Sequence, residues 1–477
     1  MEKKLTVTFN GIMLFFCALV MVIMVSAGVY LGGQNLIFGV VAYILAAVVI
    51  YYLLGMAGDK SLVLVLLGAL AVGFALRMMW ICNVFTWPQS DFGTMYQSAG
   101  DVAIGNFSPF NPGSYFDRFP HLTTFTAMLG LVFRISGQNL WFVKVLNVLL
   151  STLCIYLVYL IGTQLSDKRL GAFCAILMAV FPPFIFYPSV LATENFAMPL
   201  IMLSLWFFLR AYGAQTTKQC VLNCVYCGLL LSFGNLFRLV GPLYLAAYGL
   251  SIFILFARGK KLAAAASMLA AFLVIYFGTS MALYHGGVTT YRLTDSATPF
   301  TYFFLTGFNQ ETGGMYSEED INIYFECDGD KERMQEVMSA RLWQRVSENP
   351  AGIAPLMLKK TATLWADGSF GGVYWAYEHG VIADEHPYTQ KLGDLSNQIW
   401  LGILALGAVG VFVGRKDGRV MVLALCVLAF AGAYLFLEVQ PRYTYSASFL
   451  FVPLASIGAR AAAHKIRDAL SRAQNKV

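Results

Sequence analysis

Charge is scarce in this chain of 477 residues, of which aspartate, glutamate, lysine and arginine together supply only 12%. Hydrophobic residues make up 58%, and the mean hydropathy is +0.66. The core of a water-soluble domain does not use so large an apolar fraction, so this composition excludes a soluble globular protein. It predicts instead an all-α polytopic membrane protein, because helices satisfy their own backbone hydrogen bonds in lipid.

Histidine and cysteine, the usual ligands of a zinc site, are also few. The chain has five histidines and nine cysteines, and eight of the cysteines fall within predicted membrane spans. Cys220, Cys224 and Cys227 share one helical face, but no histidine or carboxylate is near enough in the sequence to complete a metal site. We therefore expect small buried thiols that pack between helices, and no disulfide framework.

Twelve apolar runs are each close to the ~20 residues that cross a bilayer. They lie near residues 10–30, 36–56, 61–85, 141–165, 170–191, 195–212, 219–236, 239–257, 262–284, 397–414, 420–437 and 443–460. No small-residue cleavage site follows the first run, so we interpret it as a retained span rather than a signal peptide. The apolar stretch from His121 to Ile135 would invert every later loop if it crossed, so we expect a juxtamembrane helix there.

The orientation follows from the basic residues of the short loops, which collect on the cytoplasmic side of a membrane. With both termini in the cytoplasm, that side holds Lys3, Lys4, Lys60, Lys168, Arg169, Arg210, Lys218, Arg258, Lys260, Lys261, Arg415, Lys416, Arg419 and the tail from Arg460 to Lys476. These residues give the net charge of +6 its sign, so we expect membrane lipids and no nucleic acid as partners. The predicted location is the cytoplasmic (plasma) membrane.

Two segments are long enough to fold outside the membrane. Residues 86–140 form an aromatic-rich first outer loop, and residues 285–396 form the only stretch of soluble composition. Within the second, residues 331–348 are predicted to form an amphipathic helix. Its apolar face carries Met334, Val337, Met338, Leu342 and Val346.

The chain past this helix is apolar again. Residues 353–365 are expected to rest in the membrane interface, with Lys359 and Lys360 reaching toward the headgroups. Four regions result: two N-terminal spans in residues 1–60, a transmembrane core in 61–284 with the candidate catalytic loop 86–140, an extracytoplasmic loop subdomain in 285–396, and the last spans with a basic cytoplasmic tail in 397–477.

The preference of basic residues for the cytoplasmic side leaves few charged residues unexplained, and these are the candidates for a functional site. Asp91 follows the third span, and Glu194 follows the outer end of the fifth. Arg238 lies between two spans, in a short connection interrupted by glycine. Arg118 lies in the first outer loop and Arg442 lies between the last two spans. Because all five lie at or beyond outer helix ends, they can converge on one outward-facing cavity, where the arginine forks suit a phosphate.

Each of these side chains also has a purely structural interpretation. Arg118, Arg238 and Arg442 can snorkel to lipid phosphates or pair with a nearby acid. Glu194 can be no more than an N-cap or first-turn acid that the helix dipole favours. The sequence leaves both interpretations open for each residue.

Three other polar residues near these helix ends are also candidates. Asp101 suits a solvated helix position as well as a site. His121 suits the membrane interface. Lys144, one turn into the fourth predicted span, either snorkels or helps to hold an anionic donor.

Short motifs along the chain resemble those of the GT-C membrane glycosyltransferases. They are SDFGTMY at residues 90–96, YFDRFPH at 115–121, TEN at 193–195 and EVQPRY at 438–443. The nearest branch is that of the protein O-mannosyltransferases and the lipid A aminoarabinose transferase. Uncharacterised Gram-positive members also have stretches like NQETGG at 309–314 and WADG at 365–368. The order, spacing and sidedness of the motifs, from about residue 61 onward, carry the resemblance.

The resemblance implies a GT-C fold and transfer, with inversion, of a sugar from a polyprenyl-phosphate carrier to an extracytoplasmic acceptor. Asp91 matches the catalytic aspartate of the first loop and Arg442 the late arginine near the lipid phosphate. Glu194 matches an acid that helps to shape the substrate site or, in some members of the family, a metal site. The further candidates for substrate binding are Arg238, Asp101, Tyr96, Arg118, His121, Lys144 and Tyr443. No cofactor is required, and a divalent metal is optional but not indicated.

The residues themselves support this chemistry. A sugar phosphate already has a good leaving group, so arginines need only stabilise its charge while an aspartate takes the proton of the attacking hydroxyl. Two departures leave the acceptor open: the family's protein mannosyltransferases often have Asp-Glu where this chain has Asp91-Phe92, and two extra spans precede the loop. Teichoic polymer, cell-wall polysaccharide, lipid and protein all remain candidate acceptors.

A multi-pass transporter or lipid-linked sugar flippase would share the twelve spans. Transporters place broken helices and ionisable residues near mid-membrane, often in repeated halves. This chain shows no such repeat and its polar residues lie at one face, although the stretch from Gly234 to Arg238 would suit a transporter. A scaffold subunit without activity is a third alternative, for which replacing Asp91 by asparagine would leave the function intact.

Overall fold

The computed structural model describes residues 2–30, 34–377 and 388–474, and every regular element in these ranges is a helix. The predicted all-α class is therefore confirmed. Lys476, the last of the basic residues predicted to face the cytoplasm, lies outside the described residues.

The described ranges contain 22 α-helices. The first eleven are α1 Glu2–Tyr30, α2 Gln34–Leu54, α3 Asp59–Asn83, α4 Asp91–Ala103, α5 Tyr115–Arg118, α6 Thr123–Ser136, α7 Leu140–Leu165, α8 Lys168–Ala179, α9 Pro182–Phe186, α10 Glu194–Tyr212 and α11 Thr217–Phe237. The others are α12 Gly241–Leu255, α13 Arg258–His285, α14 Thr301–Gly307, α15 Glu318–Glu326, α16 Lys331–Glu348, α17 Ile353–Trp365, α18 Gly372–Tyr377, α19 Thr389–Val413, α20 Gly418–Phe436, α21 Tyr445–Ser448 and α22 Phe451–Gln474. Short 3-10 helices lie at Ser108–Phe110, Pro120–Leu122, Tyr187–Ser189, Pro350–Gly352 and Pro441–Thr444.

Nine of the described helices are long and apolar enough to cross a membrane: α1, α2, α3, α7, α10, α11, α13, α19 and α20. Two further pairs pass the same test together but are bent, Lys168–Ala179 with Pro182–Ser189 by 59° and Pro441–Ser448 with Phe451–Gln474 by 55°. The apolar helix α12 is shorter, at 15 residues. Each of the twelve predicted runs coincides with one of these elements, and the chain is a multi-pass membrane protein. The predicted juxtamembrane helix is α6, which is not among the spanning candidates.

The bend between α8 and α9 follows from proline chemistry. Phe181 precedes Pro182 and is extended, with a ψ of 116°, so the first helix ends before it and Pro182 starts the next. Arg77 of α3 is buried against this break and donates to the carbonyls of Met178 and Ala179 at 3.2 and 3.1 Å. This cation has no acidic partner in the described chain. It supplies the donors that the carbonyl end of α8 lacks.

Helices α19 and α22 pack with their backbones almost in contact. A Cβ atom on Gly410 would lie 1.9 Å from the carbonyl oxygen of Leu454, and one on Gly458 would lie 1.9 Å from that of Leu406. Glycine is what lets membrane helices approach this closely. Because α22 follows directly after the segment that carries Arg442, this contact anchors that segment against the bundle.

The predicted cytoplasmic loops meet one another at one end of the bundle. Lys168 forms an ion pair with Asp59 at 3.0 Å, and Arg419 donates to the carbonyl of Leu165 at 3.2 Å. The helix ends that carry the candidate site residues meet elsewhere, as described below. The side of the membrane that each end faces remains a prediction from the charge rule.

Residues 285–396 contribute a small core of their own. Its buried members are Tyr302, Leu305, Ile321, Ile323, Cys327, Met334 and Met338. The predicted amphipathic helix over residues 331–348 is confirmed as α16, which buries both methionines here and packs Val337 and Leu342 against them. These residues bring α14, α15 and α16 together beside the first outer loop, whose Phe119 packs against the same core.

Lys360 corrects one expectation. The predicted helix over residues 353–365 is present as α17, but the Lys360 side chain is buried and does not reach toward lipid headgroups. Its Nζ donates to the carbonyls of Gly307, Leu435 and Leu437 at 2.8, 2.9 and 2.8 Å. These carbonyls end α14 and α20 and lack partners of their own, so the lysine ties α17 to the chain just before Glu438.

Candidate active site

A cavity of about 1180 Å³ opens where the first loop, residues 285–396 and the ends of α11 and α20 meet. Six of the predicted site residues line it: Asp91, Arg118, His121, Arg238, Arg442 and Tyr443. The structure thus brings together residues from distant parts of the chain. Their individual roles stay predictions.

The carboxylate of Asp91, the first residue of α4, is held from two sides. Nη2 of Arg442 donates to Oδ2 at 2.9 Å, and the hydroxyl of Tyr115 donates to Oδ1 at 2.6 Å. Ser90, directly before it, has a φ of 51°, the left-handed region that residues other than glycine rarely adopt. The Asp91 side chain is still 34% exposed, so a substrate hydroxyl can reach it.

Opposing effects act on the pKa of Asp91. Burial raises this pKa, whereas the charge of Arg442 and the hydrogen bonds from Tyr115 and Arg442 lower it, and the lowering prevails. Asp91 is therefore ionised at neutral pH. It is also a weak base for as long as Arg442 holds it.

Arg442 is buried among aromatic rings. Its guanidinium carbon lies 4.9 Å from the ring centroid of Phe92 and 5.1 Å from that of Trp375. Its Nε is buried and has no hydrogen-bond partner within the described chain. Ring contacts stabilise a guanidinium without using its N–H donors. Arg442 therefore retains donor capacity beyond the bond that it gives to Asp91.

The segment that presents Trp375 is a tight turn held by Asp367. The carboxylate of Asp367 accepts from the backbone N–H groups of Ser369 and Gly371 at 2.8 and 2.6 Å. Phe370 lies in the left-handed region with a φ of 52°, and its carbonyl accepts from the hydroxyl of Tyr187 at 2.7 Å. This turn leads directly into α18 and so positions the Trp375 ring that packs on Arg442.

Arg238 caps the end of α11 and pairs with Glu194. The Arg238 Nε lies 3.3 Å from Oε1 of Glu194, whose side chain is completely buried while that of Arg238 is 12% exposed. Glu194 is the first residue of α10 and does not line the cavity, so it acts on the site by holding Arg238. The Tyr443 ring centroid lies 5.1 Å from the guanidinium carbon of Arg238 and 5.9 Å from that of Arg442. Both cations therefore flank one ring.

Glu438 is a second carboxyl group in the cavity that sequence reasoning did not single out. The hydroxyl of Tyr443 donates to its Oε1 at 3.1 Å. Burial raises the pKa of Glu438 to about 7, with a further increase from Asp91, although the hydrogen bond from Tyr443 and the charge of Arg442 lower it. The charge of this side chain therefore changes near neutral pH.

His121 lines the cavity as a neutral side chain. Burial is the main reason that its pKa falls to about 4, and the positive charges of Arg238 and Arg442 lower it further, although Asp91 raises it. A neutral imidazole can donate or accept a hydrogen bond at neutral pH. It adds no charge to the site.

Three predicted site residues besides Glu194 do not line the cavity. The Tyr96 hydroxyl donates to the carbonyl of Gln138 at 2.9 Å, and Asp101 accepts from Asn106 at 3.3 Å. Lys144 is buried and donates to a backbone carbonyl at 2.7 Å. Asp101 lies ten positions after Asp91 on the same helix, a rise of about 15 Å, which places the second aspartate away from the first.

Comparison with known proteins gives one family match. Residues 123–285 match the family described as dolichyl-phosphate-mannose-protein mannosyltransferase. The match covers 163 of the 477 residues. The resemblance predicted from the motifs is thereby confirmed at the level of the family. No curated protein matches the chain.

Two solved structures are similar to this chain. AglB, the oligosaccharyltransferase of Archaeoglobus fulgidus solved in complex with an inhibitory peptide and a dolichol-phosphate, is 16% identical with a TM-score of 0.48. That match covers 84% of this chain and 50% of AglB, so the chain spans about half the length of that protein. ArnT of Cupriavidus metallidurans, solved bound to undecaprenyl phosphate, is 12% identical with a TM-score of 0.37, over 84% of this chain and 78% of its own.

The mannosyltransferase-family segment supplies only part of the site. It contains Glu194 and Arg238, whereas Asp91 and His121 precede it and Arg442 follows it. The family match by itself therefore identifies neither the candidate base nor its cationic partner. Their proximity is a finding of the structure.

Three residues of the site were missed from the sequence. Tyr115 and Glu438 lie inside motifs that carry the family resemblance, so their positions held a signal. Nothing in the sequence around Trp375 singled it out as a site residue, because Trp375 lies outside the motifs that carry the family resemblance. Its contact with Arg442 depends on how the Asp367 turn is folded.

Proposed function

We propose that the chain is an integral membrane glycosyltransferase that moves a sugar, with inversion, from a polyprenyl-phosphate donor to an extracytoplasmic acceptor. The single observation that carries the proposal is the contact of Asp91 with Arg442 at 2.9 Å inside the cavity. This contact places the ionised carboxylate of Asp91 beside Arg442, whose Nε has no hydrogen-bond partner in the described chain. The mannosyltransferase-family segment supports the same reaction class.

The phosphate of the donor binds Arg442 and Arg238 in this mechanism. The acceptor hydroxyl oxygen attacks the anomeric carbon while the bond from that carbon to the phosphate oxygen breaks. The carrier phosphate leaves with the bonding electrons, and the two guanidinium groups stabilise the charge that it gains. The proton of the hydroxyl passes to Asp91.

Phosphate binding also changes the basicity of Asp91. Arg442 lowers the pKa of Asp91 while it donates only to that carboxylate. A dianionic or monoanionic phosphate on the same guanidinium offsets part of its charge, so the pKa of Asp91 rises toward that of a usable base. The base is thus activated by the substrate whose transfer it assists.

Glu194 acts as a positioning residue, because it holds Arg238 without lining the cavity. The positive charge that a divalent ion would supply comes from arginine here, and we propose no metal requirement. Asp91 and Glu194 each already bind an arginine, and no group of three potential metal ligands occurs in the described ranges.

We further propose that the cavity faces outward from the cytoplasmic membrane and that both termini are inside. The contacts among the basic loops at the other helix ends support this orientation, because such loops stay on the cytoplasmic side. The partners are then a polyprenyl-phosphate-linked sugar, an extracytoplasmic acceptor and the lipids of the bilayer.

The test uses purified protein in lipid with a panel of radiolabelled polyprenyl-phosphate sugars. Wild type should hydrolyse or transfer at least one donor, and Asp91→Asn should lose at least about a hundredfold in rate, the range of a general base. Asp394→Asn, an exposed acid on α19, is the matched control and should keep wild-type rates. Substrate-coupled flux without turnover of any donor would instead establish a transporter.

A further inference from the structure

Arg118 is the cation of the cavity that none of the proposed steps uses. It ends the short helix α5, and its backbone is fixed against residues 285–396: the Ser296 hydroxyl donates to the Arg118 carbonyl at 2.8 Å, and the Ala297 N–H donates to that of Asp117 at 2.9 Å. The Arg118 side chain lines the cavity at this seam. A backbone held so firmly gives the guanidinium a defined position.

Four aromatic rings surround the guanidinium of Arg118. Its central carbon lies 5.9 and 6.0 Å from the ring centroids of Tyr115 and Phe119, and 5.1 and 5.4 Å from those of Tyr324 and Phe325 on α15. Cation–π contacts attract a guanidinium to the faces of such rings. The rings therefore hold the cation in place but satisfy none of its hydrogen-bond donors.

Arg118 has no anion of its own. Arg442 pairs with Asp91 and Arg238 pairs with Glu194, whereas the Arg118 side chain forms no ion pair or hydrogen bond with any residue in the described part of the chain. Its Nε is buried without a partner. A desolvated donor left unpaired is costly, so this arrangement is suited to receive an anionic ligand.

Arg118 has different neighbours from the other two cations. Tyr115 separates it from the catalytic aspartate, since the Tyr115 hydroxyl donates to Asp91 while its ring borders Arg118. Arg238 and Arg442 instead share the ring of Tyr443. Arg118 is therefore not one of the two arginines that share the Tyr443 ring and to which the donor phosphate is assigned above.

We propose that Arg118 forms an anion subsite for the acceptor, which therefore carries a phosphate or carboxylate group near the hydroxyl that is glycosylated. This inference rests on the proposed function and narrows its substrate. The rings of Tyr324 and Phe325 place the subsite beside residues 285–396. A planar guanidinium fork binds either oxyanion with two hydrogen bonds.

The experiment compares wild type with Arg118→Gln in three reactions. The donor is radiolabelled polyprenyl-phosphate mannose or glucose, whichever wild type turns over, and the reactions are transfer to methyl glucoside 6-phosphate, transfer to methyl glucoside, and hydrolysis without acceptor. Arg118→Gln should lower kcat/KM for the phosphorylated acceptor by about tenfold or more, equivalent to about 1.4 kcal/mol for one lost charged contact. The loss should be selective, so the ratio of kcat/KM for the phosphorylated acceptor to that for methyl glucoside should fall, and hydrolysis should be lowered less than transfer to the phosphorylated acceptor.

Two results overturn the proposal. An equal loss in all three reactions would assign Arg118 to the carrier phosphate, and no loss in any would show that it binds no substrate anion. Arg118→Lys, which keeps the charge but not the fork, should recover part of the lost kcat/KM, whereas a purely structural role predicts no selective recovery. Size-exclusion chromatography in detergent verifies that each variant is folded.

The subsite and the proposed function fail in different ways. If wild type turns over no donor, the glycosyltransferase proposal fails, and the subsite is then tested by equilibrium dialysis with labelled methyl glucoside 6-phosphate. Binding that Arg118→Gln weakens and that methyl glucoside does not compete for would keep the subsite. Absence of binding, or binding indifferent to Arg118, would refute it.

Discussion

Replacing Glu438 by glutamine tests the charge balance of the cavity. Glu438 lies outside the spanning helices and is only 6% exposed. The charged or titratable groups that act on it are Arg442, Asp91, Tyr443, Lys360, Tyr302, Tyr316 and Tyr434. Glutamine keeps the shape and the acceptor oxygen of the side chain but cannot ionise.

The magnitude follows from the pKa of Glu438, which burial raises from 4.5 to about 7. Below 4.5 the group is protonated in both folded and unfolded chains and its ionisation contributes nothing. Between 4.5 and 7 only the unfolded chain releases the proton, so the stability of wild type falls as pH rises and then levels off. Wild type therefore loses about 3 kcal/mol of stability over this pH range. Glu438→Gln cannot ionise at this position and should not show that loss.

The assay is the difference in Tm between Glu438→Gln and wild type in detergent at pH 5, 6, 7 and 8. The Tm of Glu438→Gln should rise relative to that of wild type from pH 5 to about pH 7, and the difference should then level off toward pH 8. Lys360 and His121, whose pKa values are lowered to about 7 and about 4 chiefly by burial, make both proteins more stable as pH rises through their own ranges, and they largely cancel in the difference. A difference independent of pH, or one that shrinks, would refute the reasoning.

The exposed Glu336→Gln on α16 is the matched control and should follow wild type at every pH. Catalysis gives a second readout, because an ionised Glu438 beside Arg442 offsets part of the charge that holds the donor phosphate. The KM for donor should therefore rise above pH 7 in wild type and stay level in Glu438→Gln. A parallel rise in both proteins would contradict this role.

Three further predictions concern neighbouring contacts. Arg238→Gln should destabilise the protein by about 3–5 kcal/mol, because Glu194 is left buried without its cation. Adding Glu194→Gln should restore most of that stability. The free energies of unfolding of the two single variants and the double variant measure the interaction energy between the two side chains. Lys360→Met should cost at least about 2 kcal/mol of unfolding free energy, since three carbonyls lose their donor. Tyr115→Phe removes a hydrogen bond that lowers the pKa of Asp91, so the acid limb of the pH–rate profile should move to higher pH, and an unmoved limb would argue against Asp91 as the base.

The helices could be predicted because their signal is local. Each apolar run and the amphipathic helix over residues 331–348 depend on the side chains within one element, and both correspond to helices in the structure. The interruption at Pro182 was not foreseen, although proline is a local signal too. Its cation, Arg77, lies on another helix, so sequence order gives no indication of the contact.

The members of the site could be named from the sequence, but their pairing could not. Asp91 and Arg442 are 351 positions apart, and no motif states that they touch. Lys360 was assigned to the lipid interface from its own helix, whereas its partners lie on α14 and α20. A lysine on an apolar helix can snorkel or can cap buried carbonyls, and the tertiary contacts alone decide between these outcomes.

The pairing changes what the site does before substrate arrives. With Arg442 on Asp91 and Arg238 on Glu194, each carboxylate neutralises one arginine, and Asp91 is held as a poor base. In the proposed mechanism a phosphate must share Arg442 before Asp91 can accept a proton at an appreciable rate. Water in the empty cavity therefore meets no active base. Activation by the donor itself makes transfer depend on a bound carrier phosphate, which a site with a free aspartate would not require.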